Sequence, residues 1–281
     1  MSAIPYLSLD SIRREYPDAR FVNLKDIKGI EDLEARLHRG IYKVMDSIHN
    51  VWCIYKEPTA PVDIKSQVNE IRALTLLSNF PHIIQLLGFV VSTTRYLSFP
   101  GDDSPLVLRG VLLQYASQGA LGRVLEVDDL QWHRRLRWAK QIALGLREIH
   151  AAALFHGDLK SYNIVIDDSD NAIIIDFGGR GGTYGWNAPE TYVDQDQPEP
   201  GLMAMQKADV YSFGVVLWEI LTQNEVNIPI GMKHAEFFRV KDTPEHEGYI
   251  KLMRHCLLHD PEYRPNIAEI IENLEELERE L

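Results

Sequence analysis

Cysteine is nearly absent from this chain: Cys53 and Cys256 are the only two in 281 residues. They stand far apart and without metal-ligand spacing, which excludes a disulfide framework and points to a reduced compartment, cytosol or nucleus. Long hydrophobic runs are missing as well. No stretch approaches the roughly 18 apolar residues that span a bilayer. The opening "MSAIPYLSLDSIRREYPDAR" lacks the basic-then-apolar pattern of a secretory signal, so neither secretion nor membrane insertion is expected. Positive charge is short too. Against 29 Lys and Arg stand 41 Asp and Glu, a net charge of −12, which argues against a broad nucleic-acid-binding face. Much of that acidity sits in "NIAEIIENLEELEREL", the solvated side of a final helix.

What is present is an ordinary globular composition, 45% apolar and 25% charged, on a chain long enough for a sizeable core. The first 115 residues or so read as a small sheet with one helix. "DLEARLHRGIYKV" and "VWCIYK" have short alternating character and are joined by a turn at "SIHN". Ile64, Val68, Ile71 and Leu74 recur at helical spacing from Asp63 onward. "PHIIQLLGFVV" and "LVLRGVLLQYA" read as apolar strands around the turn-rich "SFPGDDSP". After "ASQGA" the pattern becomes helical. Ala139, Ile142, Ala143, Leu146 and Ile149 share one face, and "ADVYSFGVVLWEILT" is apolar nearly all round, as a buried helix would be. The last helix starts after Pro265 with Asn266 as N-cap and Glu269 three residues on. Its Ile267, Ile270, Ile271, Leu274 and Leu277 form a stripe for packing. "VDQDQPEPGLMAMQ" reads as a linker too short to separate domains.

The chemistry concentrates in "HGDLKSYNIVID" and "IIIDFGG". Asp158 lies five residues before Asn163 and eighteen before Asp176. A carboxylate at the end of a buried strand, followed by glycine-rich backbone, suits a hard cation, and Asn163 offers a neutral amide oxygen beside it. Such a set serves phosphoryl transfer, which asks for metal ions, a cation on the phosphates and an aligned hydroxyl. Gly157 within "HGD" leaves three classes open at this point: a protein kinase, a kinase of small molecules, or an inactive relative of either.

From about residue 30 to the end, the chain resembles the eukaryotic protein kinase family, of serine/threonine type and in its tyrosine-kinase-like branch. Seven marks stand in order: "VWCIYK", "EIRALTLL", "LLQYASQGAL", the loop at Asp158 with "DFG", "GTYGWNAPE", "DVYSFGVVLWEIL" and "DPEYRP". The resemblance implies an α+β, bilobal fold: an N-terminal extension over 1–29, a β-rich lobe with one main helix over about 30–115, and a mainly helical lobe over about 116–281. It implies ATP and Mg²⁺ as cofactors and a protein substrate with a Ser or Thr acceptor. Lys56 would hold the α- and β-phosphates, kept in place by Glu70. Asp158 would orient the acceptor hydroxyl, and Lys160 would steady the transferring group. Asn163 and Asp176 would bind Mg²⁺. The base would lie against Ile54, Val165 and the strand end at Leu113, with backbone bonds near Gln114 and Ala116; Gly40 would belong to the phosphate loop. Thr183 would reach Asp158 and Lys160, Arg264 would pair with Glu190, and His156 would pack under Phe177.

Three positions depart from the family pattern. Gly40 is the one glycine in the window of the phosphate loop, and a glycine-poor loop is stiffer and bulkier. Ile54, two residues before Lys56, stands where alanine is usual and would narrow the adenine slot. Gly157 replaces an arginine that takes an activation-loop phosphate, and the segment "GRG" between "DFG" and "GT" carries no hydroxyl to phosphorylate. The reading is thus a kinase active without that phosphorylation, with a pseudokinase scaffold as the alternative. An aminoglycoside- or choline-type kinase is the further alternative, although those generally lack "APE", the "DVYSFG" helix and the closing "RP".

Overall fold

Alternating residues on either side of "SIHN" build the antiparallel pair around which a six-stranded sheet forms. The computed structural model describes residues 5–32, 40–93, 105–127, 130–177, 182–191, 200–229 and 232–281. The chain divides into two units, Met1–Ser78 with Ile84–Tyr115, and Asn79–Ile83 with Ala116–Leu281.

The first unit runs α1 (Leu9–Glu15), β1 (Phe21–Asn23), β2 (Ile27–Asp32), β3 (Ile41–Asp46), β4 (Val51–Lys56), α2 (Asp63–Leu76), β5 (Leu86–Ser92) and β6 (Val107–Gln114). The sheet order is β1-β5-β6-β4-β3-β2, with β1 parallel to β5 and the other neighbours antiparallel. The expected turn closes β3 onto β4, with Asn50 in the left-handed region at φ 54° and Asp46 Oδ1 accepting from the Ile48 amide. Strand alternation sends Cys53 and Tyr55 into a core with Val22, Ile27, Val44, Val90 and Leu112. Each such buried side chain contributes about 1.5–3 kcal/mol relative to exposure. Trp52, Ile54 and Lys56 therefore share the opposite face. Gly110 lets β4 approach β6, since a Cβ there would lie 2.2 Å from Lys56 O.

Helix α2 begins at Asp63 as its spacing predicts, but its buried row differs. Ile71 and Leu74 are buried, whereas Ile64 and Val68 are only half-buried and the polar Gln67 and Glu70 lie inside. The helix turns Ile64 and Val68 partly outward and brings Glu70 inward. The stretch 1–29, set apart in the sequence as an extension, carries α1 and β1. Leu9 and Ile12 are buried, Phe21 and Phe89 face one another across the β1–β5 pairing, and the Leu108 amide donates to Leu7 O.

The second unit contains β7 (Gly119–Ala120), α3 (Leu121–Val124), α4 (Trp132–Ala151), β8 (Ile164–Ile166), β9 (Ala172–Ile174), α5 (Leu202–Thr222), α6 (His234–Phe237), α7 (Glu247–Cys256) and α8 (Ile267–Arg279). Strands β7, β8 and β9 form a small antiparallel sheet. The face predicted for α4 is wholly buried, and α5 is buried without interruption from Ala208 to Ile220. Gly214 lets α7 close on it, because a Cβ there would meet Cys256 Cβ at 2.8 Å. Helix α8 has the predicted capping box of Asn266 and Glu269, and it packs on α4 and α7 through Ile270, Ile271 and Leu274. Both cysteines are buried free thiols.

Two readings need correction. Leu202–Gln206, read as the end of a linker, are the first turns of α5, whose Leu-Met-Ala-Met-Gln start is a strong helix-forming run. "PHI" is not strand: Ile83 makes one isolated parallel bridge to Ile174, and His82 bonds Ala172 O, so these residues join the second unit. "SFPGDDSP" lies outside the described residues except Pro105. Among the described residues, no helix is long and apolar enough to cross a membrane.

Candidate active site

Lys56 ends β4 and bonds Glu70 Oε1 on α2 at 2.8 Å; the Glu70 side chain is 4% exposed and that of Lys56 26%. A charge so enclosed needs this partner, and the pair fixes the lysine's direction. Ile54 lies one alternation back on the same face, flanked in register by Lys43 on β3 and by the buried Leu113 on β6. The Lys43 ammonium sits over the rings of Trp52 and Tyr115, at 4.5 and 4.9 Å. Gln114 closes β6, its amide donating to Gln85 O. Gly40 has φ +93° and its carbonyl accepts from the Glu57 amide, while a Cβ there would lie 2.5 Å from Glu57 O. This glycine is required where it stands by the close approach of Glu57. The remainder of the expected phosphate loop, residues 33–39, lies outside the described residues.

In the second unit the loop at Asp158 hangs from the buried Asp209 of α5. Asp209 Oδ2 accepts from the His156 amide at 2.8 Å, and Oδ1 from the Gly157 amide at 2.9 Å. Gly157 adopts φ +77°, which an L side chain would strain. His156 is buried against Phe177, with ring centroids 5.4 Å apart. Its Nε2 faces Ile175 O at 2.9 Å, and its Nδ1 accepts from the Asp158 amide at 3.2 Å. A carbonyl can only accept, so the ring is the Nε2–H tautomer with both nitrogens engaged. That is a packing role, as the sequence suggested.

Asp158 is surrounded by donors. Thr183 Oγ1 donates to its Oδ1 at 2.7 Å, and Lys160 Nζ donates to its Oδ2 at 2.7 Å and to Thr183 Oγ1 at 2.7 Å. Asn163 Nδ2 donates to Asp158 O at 2.8 Å and to Oδ2 at 3.1 Å, which turns its amide oxygen away from Asp158. Asp176 follows β9 with φ +67°, solvent-exposed, an unusual backbone for a residue with a side chain. Among the described residues no three of His, Cys, Asp and Glu converge as a metal-binding group. An amide oxygen and one carboxylate fit a hard cation that takes its other ligands from phosphate and water. Val165 lies mid-β8, half-buried between Ala120 and Ile173 in register, and Ala116 is buried at the unit's start. Arg264, fully buried, grips both oxygens of Glu190 at 2.5 and 2.8 Å, as expected.

The sequence reading passed over Ser161, Trp186 and Glu219, which meet by hydrogen bonds at the base of this loop. A lone carboxylate inside the apolar run "FGVVLWEIL" was the available signal.

The model of the protein tyrosine and serine/threonine kinase family matches residues 35–274. The chain belongs to that family. Among its relatives are mitogen-activated protein kinase kinase kinase 11 of Homo sapiens, 31% identical over 200 residues, which cover 61% of this chain and 23% of that protein. The Arabidopsis thaliana serine/threonine/tyrosine-protein kinase HT1 is 28% identical over 265 residues, covering 86% of this chain and 63% of HT1. The mitogen-activated protein kinase kinase kinase dlk-1 of Caenorhabditis elegans is 31% identical over 194 residues, 61% of this chain and 20% of the relative. The chain thus spans less than two thirds of each of these proteins.

Proposed function

We propose that this kinase-family chain transfers the γ-phosphate of ATP, with Mg²⁺, to serine or threonine hydroxyls of a protein, without need of activation-loop phosphorylation. The observation that carries the reading is the triangle of Asp158, Lys160 and Thr183 with Asn163 beside it. Asp158 accepts the acceptor hydroxyl's hydrogen bond and aligns its oxygen; Lys160 steadies the charge that shifts during transfer. Asn163, by its amide oxygen, and Asp176 hold the metal, which neutralises charge on the phosphates when bound. Lys56, fixed by Glu70, takes the α- and β-phosphates as a compact charge. Ile54, Leu113 and Val165 offer apolar contact to the base, the backbone at Gln114 and Ala116 offers it hydrogen bonds, and Gly40 borders the phosphate loop.

Lys160 and Thr183 beside Asp158 favour an alkyl hydroxyl acceptor, although the name of HT1 includes tyrosine. Gly157 offers no cation for an activation-loop phosphate, and its amide is committed to Asp209. One observation favours the second reading, a pseudokinase scaffold: Ile54 stands on the face of Lys56, where its branched side chain would crowd a base.

The test is transfer of labelled phosphate to a generic protein substrate with ATP and Mg²⁺, by wild type and Asp158→Asn, before and after phosphatase treatment. Transfer that survives phosphatase and falls on the order of 10³-fold in Asp158→Asn supports the proposal. A thermal shift with ATP and Mg²⁺ but no transfer supports the scaffold instead. Transfer lost on phosphatase treatment overturns the independence from phosphorylation.

A further inference from the structure

Lys160 and Thr183 reach Asp158 from different segments, and a second, buried link joins the same two segments through α5. Ser161, next to Lys160, is fully buried, and its Oγ donates to Glu219 Oε1 at 2.7 Å. Trp186, three residues after Thr183, donates its indole N–H to Glu219 Oε2 at 2.9 Å. The Trp186 amide donates back to Thr183 O at 3.1 Å, and Ser212 Oγ of α5 donates to Trp186 O at 2.9 Å. The contacts close a ring that runs from Asp158 through Thr183, Trp186, Glu219, Ser161 and Lys160 to Asp158 again. Both halves of the hydroxyl-binding triangle are thereby tied to one carboxylate.

That carboxylate is enclosed. Glu219 is 2% exposed, and the donors bonded to it, the Ser161 hydroxyl, the Ser161 amide and the Trp186 indole, are all neutral. It borders a small pocket whose charged and titratable members are Glu126, Glu225 and Tyr162. Arg123 bonds Glu126 and lies over the Tyr162 ring, Tyr162 itself donates to Glu225, and Arg135 is engaged by the carbonyls of Ile220 and Leu221. Burial pushes the Glu219 carboxyl from 4.5 up to about 7, against the pull of the Trp186 and Ser161 hydrogen bonds and with a small push from Glu225.

We propose that Glu219 is a positioning residue for phosphoryl transfer, holding the loop of Asp158 and Lys160 and the segment of Thr183 in register through Ser161 and Trp186. The role rests on the kinase reading of the site. In the ionised form Glu219 accepts all of these bonds, and among its partners the Ser161 hydroxyl alone can also accept, since a backbone amide only donates. A protonated Glu219 must donate one, and an indole N–H cannot accept. The proton therefore sits on Oε1, and the Ser161 hydroxyl must turn to receive it. The Ser161 link next to Lys160 is the one that reverses, while the Trp186 link weakens from a charge-assisted to a neutral bond.

The test uses the whole chain, with Glu219→Ala, Glu219→Gln and Trp186→Phe. The indole N–H resonance of Trp186, identified by its loss in Trp186→Phe, is followed from about pH 6 to about pH 8.5, together with kcat and KM. The expected result is an indole resonance that moves with a midpoint near 7 in wild type and stays still in Glu219→Gln. Glu219→Ala lowers kcat on the order of tenfold or more, with KM for the nucleotide changed less than about twofold. Glu219→Gln keeps one acceptor and supplies one donor, so it recovers most of that loss and flattens the pH profile. An indole resonance without titration overturns the proposal, as does Glu219→Ala with wild-type kcat. Should Glu219→Ala not fold, Glu219→Gln decides: retention of the wild-type pH profile overturns the role. Wild type without any transfer overturns the kinase reading itself, an outcome distinct from a variant that works at the wild-type rate.

Discussion

A carboxylate whose bonded partners are neutral makes a fold sensitive to protons, and Glu219 supplies the sign of that sensitivity. Its ordinary value is 4.5, and burial raises it to about 7. Below the lower value both folded and unfolded chains hold the proton, so the residue adds no pH dependence. Between the two the fold keeps a proton that the unfolded chain has released, and stability falls as pH rises. Above about 7 a constant cost remains, of about 3 kcal/mol. Glu219→Gln removes the ionisation, so it should unfold at higher urea than wild type at pH 8 and at nearly the same urea near pH 4. Paired denaturation curves at the two pH values measure this; equal differences at both would remove Glu219 as the source. Residues of this kind were poorly legible in the sequence. Lys56, Glu70, Asp158, Lys160 and Thr183 sit in short motifs whose residue types announce their chemistry. Ser161 and Trp186 are neutral and lie 58 and 33 positions from Glu219, with no period to connect them.

Among elements, α5 and the turn that carries Arg264 show how one guanidinium can join three parts of a chain. Arg264 is buried, bonds both Glu190 oxygens and also donates to the carbonyls of Leu258, Lys207 and His259. Lys207 Nζ in turn donates to Arg264 O. Arg264→Met removes all of these guanidinium bonds, leaves Glu190 without its cation, and should cost about 3–5 kcal/mol in urea unfolding. Arg264→Lys should recover little, because one ammonium cannot bridge two carboxylate oxygens and three carbonyls. Recovery to wild-type stability in Arg264→Lys would show that charge alone matters there. Long elements with strong periods, such as α4, and capped ones, such as α8, were legible from sequence. The start of α5 was not, because Pro-rich, acidic residues just before it drew the boundary too late. Helix α1 was missed because seven residues with two buried positions leave too short a period to recognise.

At the scale of the whole molecule, the family match begins at residue 35, whereas the sheet begins with β1 at Phe21. The sequence showed where kinase motifs start, and it held no motif to reveal that an earlier segment is hydrogen-bonded into the same sheet. A chain begun at residue 35 would lose β1 and β2, the outermost strands on both sides. It should melt at lower temperature than the full chain and scatter light increasingly with concentration. A monomeric chain of unchanged melting temperature would contradict this. The parallel pairing of Phe21, Val22 and Asn23 with Phe89, Val90 and Val91 thus acts as a seal. Behind it lies an apolar strand whose bared amides and carbonyls would accept any extended peptide as a replacement, another copy of the same chain included. Three residues outside the stretch that the family model matches cover the β5 edge of its sheet.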